Sequence, residues 1–168
     1  MDCLACESTI GNIMSTYTAE VLWQRAQHEV FTDNKYCRAH QWKFDGGVIV
    51  PASPSPHIVP APFSEAANVD PEEAYIASLS SCHMLFFLHL AAKANFVVDE
   101  YLDSAIGELG KDNHGKVWMT RVLLRPRVSF ANGQQPSISE LESLHHQAHE
   151  QCFIANSVKT AVVTEIIS

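Results

Sequence analysis

A chain of 168 residues with 46% hydrophobic content has the size of one domain and can bury a core without disulfide staples. A net charge of -8, with no clustered lysines and arginines, excludes a phosphate-binding stripe, and no run of ~18 apolar residues is unbroken, so neither nucleic acid nor membrane is an expected partner. The opening MDCLACESTIGNIM lacks the basic start and apolar stretch of a signal peptide, so a cytoplasmic location is expected, where five cysteines are thiols, ligands or catalysts rather than structural bridges.

Residues 1–13 read as a loosely ordered N-terminal extension, whose Cys3 and Cys6 form a lone C-x-x-C without partners, and 14–168 as a single domain. Tyr17 to Phe31 alternates imperfectly and predicts a strand. Tyr36 to Gly47 alternates more clearly, Asp45-Gly46-Gly47 is hairpin punctuation, and a short strand, VIV, follows. Five prolines between Pro51 and Pro62 forbid helix and central strand, and predict an extended crossing.

The next segment carries clear helix-start signals. Asp70 is an N-cap, Pro71 suits the first helical position, and Asp70 with Glu73 has capping-box spacing. No proline or glycine intervenes before Asn95, and apolar residues fall on every side, so this helix is expected to be buried all round. VDEYLDSAIGELG predicts one strand, KDNHGK a turn, and VWMTRVLLRPRVSF the second arm of a hairpin. Ser137 and Glu140 fit a second capping box, opening a helix that reaches about Cys152. The β-branched SVKTAVVTEIIS predicts a final strand. Strands, long helix, hairpin, helix and strand make an α+β order, not a doubly wound sheet.

Several side chains could carry chemistry. Cys82 lies inside the first helix and Cys152 at the end of the second, though buried cysteines also serve as small hydrophobes. His145 and His149 share a helical face, with Cys152 three residues on, and a metal site could be drawn from them. His83 adjoins Cys82, but neighbouring helical residues point ~100° apart, so they do not form a nucleophilic pair.

DPEEAYIASLSSCHM and AHEQCFIANSVKT together resemble the OsmC and organic hydroperoxide resistance family of thiol peroxidases, over nearly the whole chain from Tyr17. His83 replaces the usual aromatic after the first cysteine, and Phe153-Ile154 the usual proline after the second, which marks a divergent branch. The resemblance implies an OsmC-like fold in which antiparallel sheets wrap long central helices in an intertwined homodimer. It implies Cys82 as peroxidatic cysteine, Cys152 as resolving cysteine, Glu72 as the active-site glutamate, and Arg38, or failing it Arg25, as the site's arginine. The implied activity is reduction of organic hydroperoxides to alcohols through a Cys82 sulfenate and a Cys82–Cys152 disulfide, which an external dithiol reduces; no metal or organic cofactor is implied. The rival readings are an OsmC-fold protein without peroxidase activity that binds a small hydrophobic ligand, and a metal-binding protein using the His145/His149 helix.

A thiol in an apolar helix resists ionisation, so such a site needs a cation, and a guanidinium remains charged in any setting. Ten residues of helix separate Glu72 from Cys82 by ~15 Å, beyond the reach of a glutamate side chain. The glutamate at one sulfur is therefore expected to come from the other subunit. Phe86, Phe87, Phe153 and Trp42 are candidate apolar walls, and Cys37, beside Arg38 on a strand, reads as structural.

Overall fold

The computed structural model describes residues 15–167; Cys3 and Cys6 lie outside them. The chain divides into two compact units, Met1–Asn68 and Val69–Ser168, so the segment expected as one domain spans the division.

The first unit carries an antiparallel three-stranded sheet of β1 (Ala19–Leu22), β2 (His40–Phe44) and β3 (Ile49–Ala52), in that order. Only four residues of the stretch Tyr17–Phe31 are strand. Beyond Leu22 the aromatic residues pack on one another instead: Phe31 stacks on Tyr36 at 4.6 Å, and Trp23 lies 5.3 Å from Tyr36. Cys37 and Arg38 therefore lie ahead of β2 and not on it. The β2–β3 turn places Gly47 at φ +84, a conformation strained for any L side chain. β3 runs through Pro51, which its edge position tolerates because the missing N–H breaks no ladder on the open side.

In the second unit α1 (Pro71–Lys93) starts where the caps predict. The Asp70 carboxylate accepts the Glu73 N–H at 2.7 Å, and the Glu73 carboxylate accepts the Asp70 N–H at 3.1 Å. The helix ends at Ala94 and Asn95, with Asn95 at φ 64. Contrary to the expectation from composition, α1 is long and apolar enough to cross a membrane by that test alone. Its buried residues, Leu79, His83, Phe87 and Ala91, form one stripe at i+4 spacing. Burial all round is not what this chain by itself provides: Leu85 is 61% exposed.

The predicted hairpin has two breaks. Its first arm is β4 (Val98–Asp103) and β5 (Ile106–Lys111), and its second is β6 (Val117–Leu124) and β7 (Pro126–Phe130). β4 pairs with β7 as one sheet; β5 pairs with β6 as another, which β8 (Ala161–Thr164) joins in parallel to β6. Asp103 secures the corner, accepting the Arg125 N–H at 2.6 Å and the Ser80 hydroxyl of α1 at 2.5 Å. α2 (Ile138–Gln151) begins with the predicted Ser137–Glu140 capping box.

Two apolar clusters grip α1 at its two ends. Leu79 packs with Val122 and Leu124 of β6, and Phe87 and Ala91 pack with Leu144 and Ala148 of α2. At Gly107 a Cβ would lie 2.5 Å from Ile76 Cδ1, so only glycine lets α1 and β5 approach this closely. Cys82 and His83 fall between the two clusters.

Candidate active site at the α1–α2 seam

Leu79 and Phe87 fix the rotation of α1, and His83, four residues from each, is buried between them. Cys82, one position on, is half-buried at the edge of that stripe. Cys152 ends α2, where its N–H closes the helix on the His149 carbonyl at 3.2 Å, and it is 1% exposed. The seam thus brings together two thiols that lie 70 residues apart in the chain.

They are near neighbours, close enough for Cys82 to shift the Cys152 thiol. Burial first and the neighbouring Cys82 second push the Cys152 thiol up to about 11, against the Ala155 N–H, which lies 3.4 Å from Cys152 Sγ and acts the other way. Cys152 therefore keeps its proton at neutral pH. Phe86 of α1 and Phe153, next to Cys152, meet edge to face at 5.1 Å beside the sulfurs.

Glu72 is half-buried in the first turn of α1, beside the capping Glu73, ten residues and ~15 Å along an unbroken helix from Cys82. Arg38 and Arg25 belong to the first unit. The Arg38 guanidinium donates to the Asn34 side-chain oxygen at 2.6 Å, to the Asn34 carbonyl at 3.1 Å and to the Tyr36 carbonyl at 3.0 Å, and lies over the Tyr36 ring. Arg25 donates to the Ala26, Gln27 and Glu29 carbonyls. Cys37 is exposed, and its N–H donates to the Glu29 carboxylate. Phe87 is core, and Trp42 sits on β2 with its indole N–H on His40.

His145 does not stand with His149 as a free pair. Its Nδ1 is 3.0 Å from His83 Nε2, and among the described residues no three His, Cys, Asp or Glu side chains are placed to hold a metal ion. Sequence reasoning missed this imidazole pair. The signal was present in the i±4 spacing of His83 from Leu79 and Phe87, which places His83 on the buried stripe.

A thiol pair at the junction of two helices, one sulfur half-exposed and the other buried and protonated, is chemically able to close into a disulfide. Residues 64–167 match the family described as OsmC-like protein, and the chain belongs to that family. Its structure is similar to that of an OsmC-like protein of unknown function from Vibrio cholerae, with 58% identity and a TM-score of 0.89 over 92% of this chain and 100% of that one. Organic hydroperoxide resistance proteins from Legionella pneumophila (13% identity, TM-score 0.63, 92% of this chain and 97% of that one) and Bacillus subtilis (20%, 0.59, 90% and 98%) share the fold. No curated protein matches the chain in sequence.

Proposed function

We propose that this chain is a thiol-dependent reductase of organic hydroperoxides. The observation that carries the reading is the nearness of the half-buried Cys82 thiol to the buried Cys152 thiol at the α1–α2 seam, in a chain of this family. Cys82 thiolate attacks the outer peroxide oxygen, the O–O bond breaks, and the departing alkoxide takes a proton to leave as an alcohol. Cys82 is then a sulfenic acid. Cys152 attacks it, the S–O bond breaks, and the hydroxyl leaves as water with the Cys152 proton. An external dithiol reduces the resulting disulfide by exchange.

Phe86 and Phe153 favour a peroxide with an apolar body. Arg38 is proposed to supply the cation that the nucleophile needs, and Glu72 of a partner subunit to orient it. A homodimer accords with α1, whose apolar side at Leu85 lies open in the single chain.

The test is a thiol count after one equivalent of cumene hydroperoxide. The wild type is expected to lose two thiols and form one disulfide. Cys82→Ser should be inert, and Cys152→Ser should stop after one turnover at a trappable sulfenate. Equal peroxide consumption by wild type and Cys82→Ser would end the reading. The rival, a binder of small hydrophobic molecules, draws on a cavity of about 490 Å³ along α1, whose lining mixes Ile76, Ala77, Met84 and Ala105 with Glu73 and Asp103. A wild type that consumes no peroxide but binds a fluorescent apolar probe there would favour that rival.

A further inference from the structure

In the cycle above negative charge comes to Cys152 twice. It gathers there when Cys152 attacks the Cys82 sulfenic acid. It returns when an external thiolate attacks the disulfide at Cys82, the more exposed sulfur, and Cys152 leaves with the electron pair. Cys152 is poorly placed to carry that charge. Its side chain is 1% exposed, and burial is the first of the causes that push its thiol up to about 11. Cys82 of α1 is the titratable group that acts on it, and it acts in the same direction. The groups that favour charge on the Cys152 sulfur are backbone N–H groups, those of Ala155 and Ile154.

Both amides belong to the turn that follows α2. The Ala155 N–H lies 3.4 Å from Cys152 Sγ. Ala155 itself packs against the cluster of Leu79, Val122 and Leu124, so the core fixes one side of the turn. Asn156 fixes the other. Its side-chain Nδ2 donates to the Glu150 carbonyl at 2.9 Å and to the Cys152 carbonyl at 3.0 Å. Its backbone N–H donates to the same Cys152 carbonyl at 3.0 Å. Carbonyls that the end of α2 leaves open are satisfied in this way. The bonds also curl the chain from Cys152 to Asn156 back on itself, with the Ala155 N–H inside the curl and facing the sulfur.

We propose that Asn156 is a positioning residue for Cys152: by closing the turn 152–156 it holds the Ala155 N–H on the Cys152 sulfur, where that donor stabilises the thiolate of disulfide closure and of disulfide reduction. The proposal rests on the dithiol chemistry given above. In closure the Cys152 sulfur bonds to the Cys82 sulfur, the Cys82 S–O bond breaks, and the departing hydroxide takes up the proton that Cys152 gave up, so water leaves. In reduction the external thiolate bonds to the Cys82 sulfur, the S–S bond breaks, and Cys152 leaves as a thiolate and regains its proton. Attack of Cys82 on the peroxide puts no charge on Cys152, so Asn156 bears on the second step of the cycle and not on the first.

The test reads the two steps separately in the full chain. After mixing with cumene hydroperoxide and acid quench, the peroxide remaining reports the first step, and the Cys82–Cys152 disulfide, counted by peptide mass mapping, reports the second. Asn156→Leu, close to asparagine in size and without a donor, is expected to consume the first equivalent of peroxide at the wild-type rate. It should close the disulfide about tenfold more slowly and move the alkaline midpoint of closure to higher pH. Asn156→Ala should do the same and serves if the first variant fails to fold. Wild-type closure in either variant would overturn the proposal. So would slower closure with an unmoved pH midpoint, the result of a residue that only caps α2. A second arm replaces peroxide by oxidised glutathione, which forms a mixed disulfide at Cys82 that Cys152 then displaces, a step that needs the same thiolate and no peroxidase activity. If glutathione but not peroxide closes the wild-type disulfide, the peroxidase reading fails and the glutathione arm alone judges Asn156. If neither closes it, both fall.

Discussion

In the proposed cycle, which sulfur attacks and which resolves follows from where each one sits. Cys152 is sealed at the end of α2 and held protonated, with its thiol raised to about 11 by burial first and by Cys82 second. Cys82 keeps a face to solvent. The same logic applies to the imidazoles with the opposite charge. Their values in the fold, about 4 and about 3, lie below the ordinary 6.5, so between these limits the unfolded chain binds more protons than the folded one. The stability they contribute is complete above pH ~6.5 and is lost as pH falls through about 4 and then about 3. The urea midpoint of the wild type should therefore drop between pH 7 and 4 more steeply than that of the double variant His83→Phe/His145→Phe, which should also be the more stable protein at pH 5. Parallel pH profiles for the two would show that the pair does not titrate on unfolding.

Both helices begin where paired capping residues say they should, because a cap is a contact three residues long and needs no distant partner. The hairpin arms were not legible in this way. VDEYLDSAIGELG sets apolar residues among polar ones along its whole length, and nothing local marks Ser104 and Ala105 as a break. The break appears once Asp103 turns inward to bind both the Arg125 N–H and the Ser80 hydroxyl, contacts 22 and 23 residues away. Asp103→Ala removes both acceptors and is expected to lower stability by ~2–4 kcal/mol, read as a shift in the denaturant midpoint. Asp70→Ala, which loses one capping acceptor, is expected to lose only ~1 kcal/mol. A smaller effect at Asp103 than at Asp70 would mean that the corner is held by strand pairing alone.

At the scale of the molecule, α1 is the odd element. One stripe of it is covered by the chain's own β6, α2 and β4, while Leu85 and the residues around it remain open. A helix with apolar residues on every side is stable in water only when a second surface covers the rest. A second copy of the chain is the proposed cover, and Leu85→Arg is expected to shift the protein from dimer to monomer in sedimentation at micromolar concentration. The same variant would lose peroxide turnover if Glu72 serves the site of the partner subunit. A monomeric wild type would remove both expectations.

The amino-acid sequence by itself determined the helix starts, the β2–β3 turn, the α+β order and, through DPEEAYIASLSSCHM and AHEQCFIANSVKT, the family and its two cysteines. Each of these is written in a short span, where spacing and side-chain chemistry act between near neighbours. Only the tertiary structure decided that Cys82 and Cys152 meet, that His83 binds His145, and that the hairpin bends at Asp103. Those contacts join residues 22 to 70 positions apart, and their partners are chosen by how α1 rolls onto α2 and β6 to bury Leu79 and Phe87. The roll angle is a property of the packed core as a whole, so no local spacing encodes it.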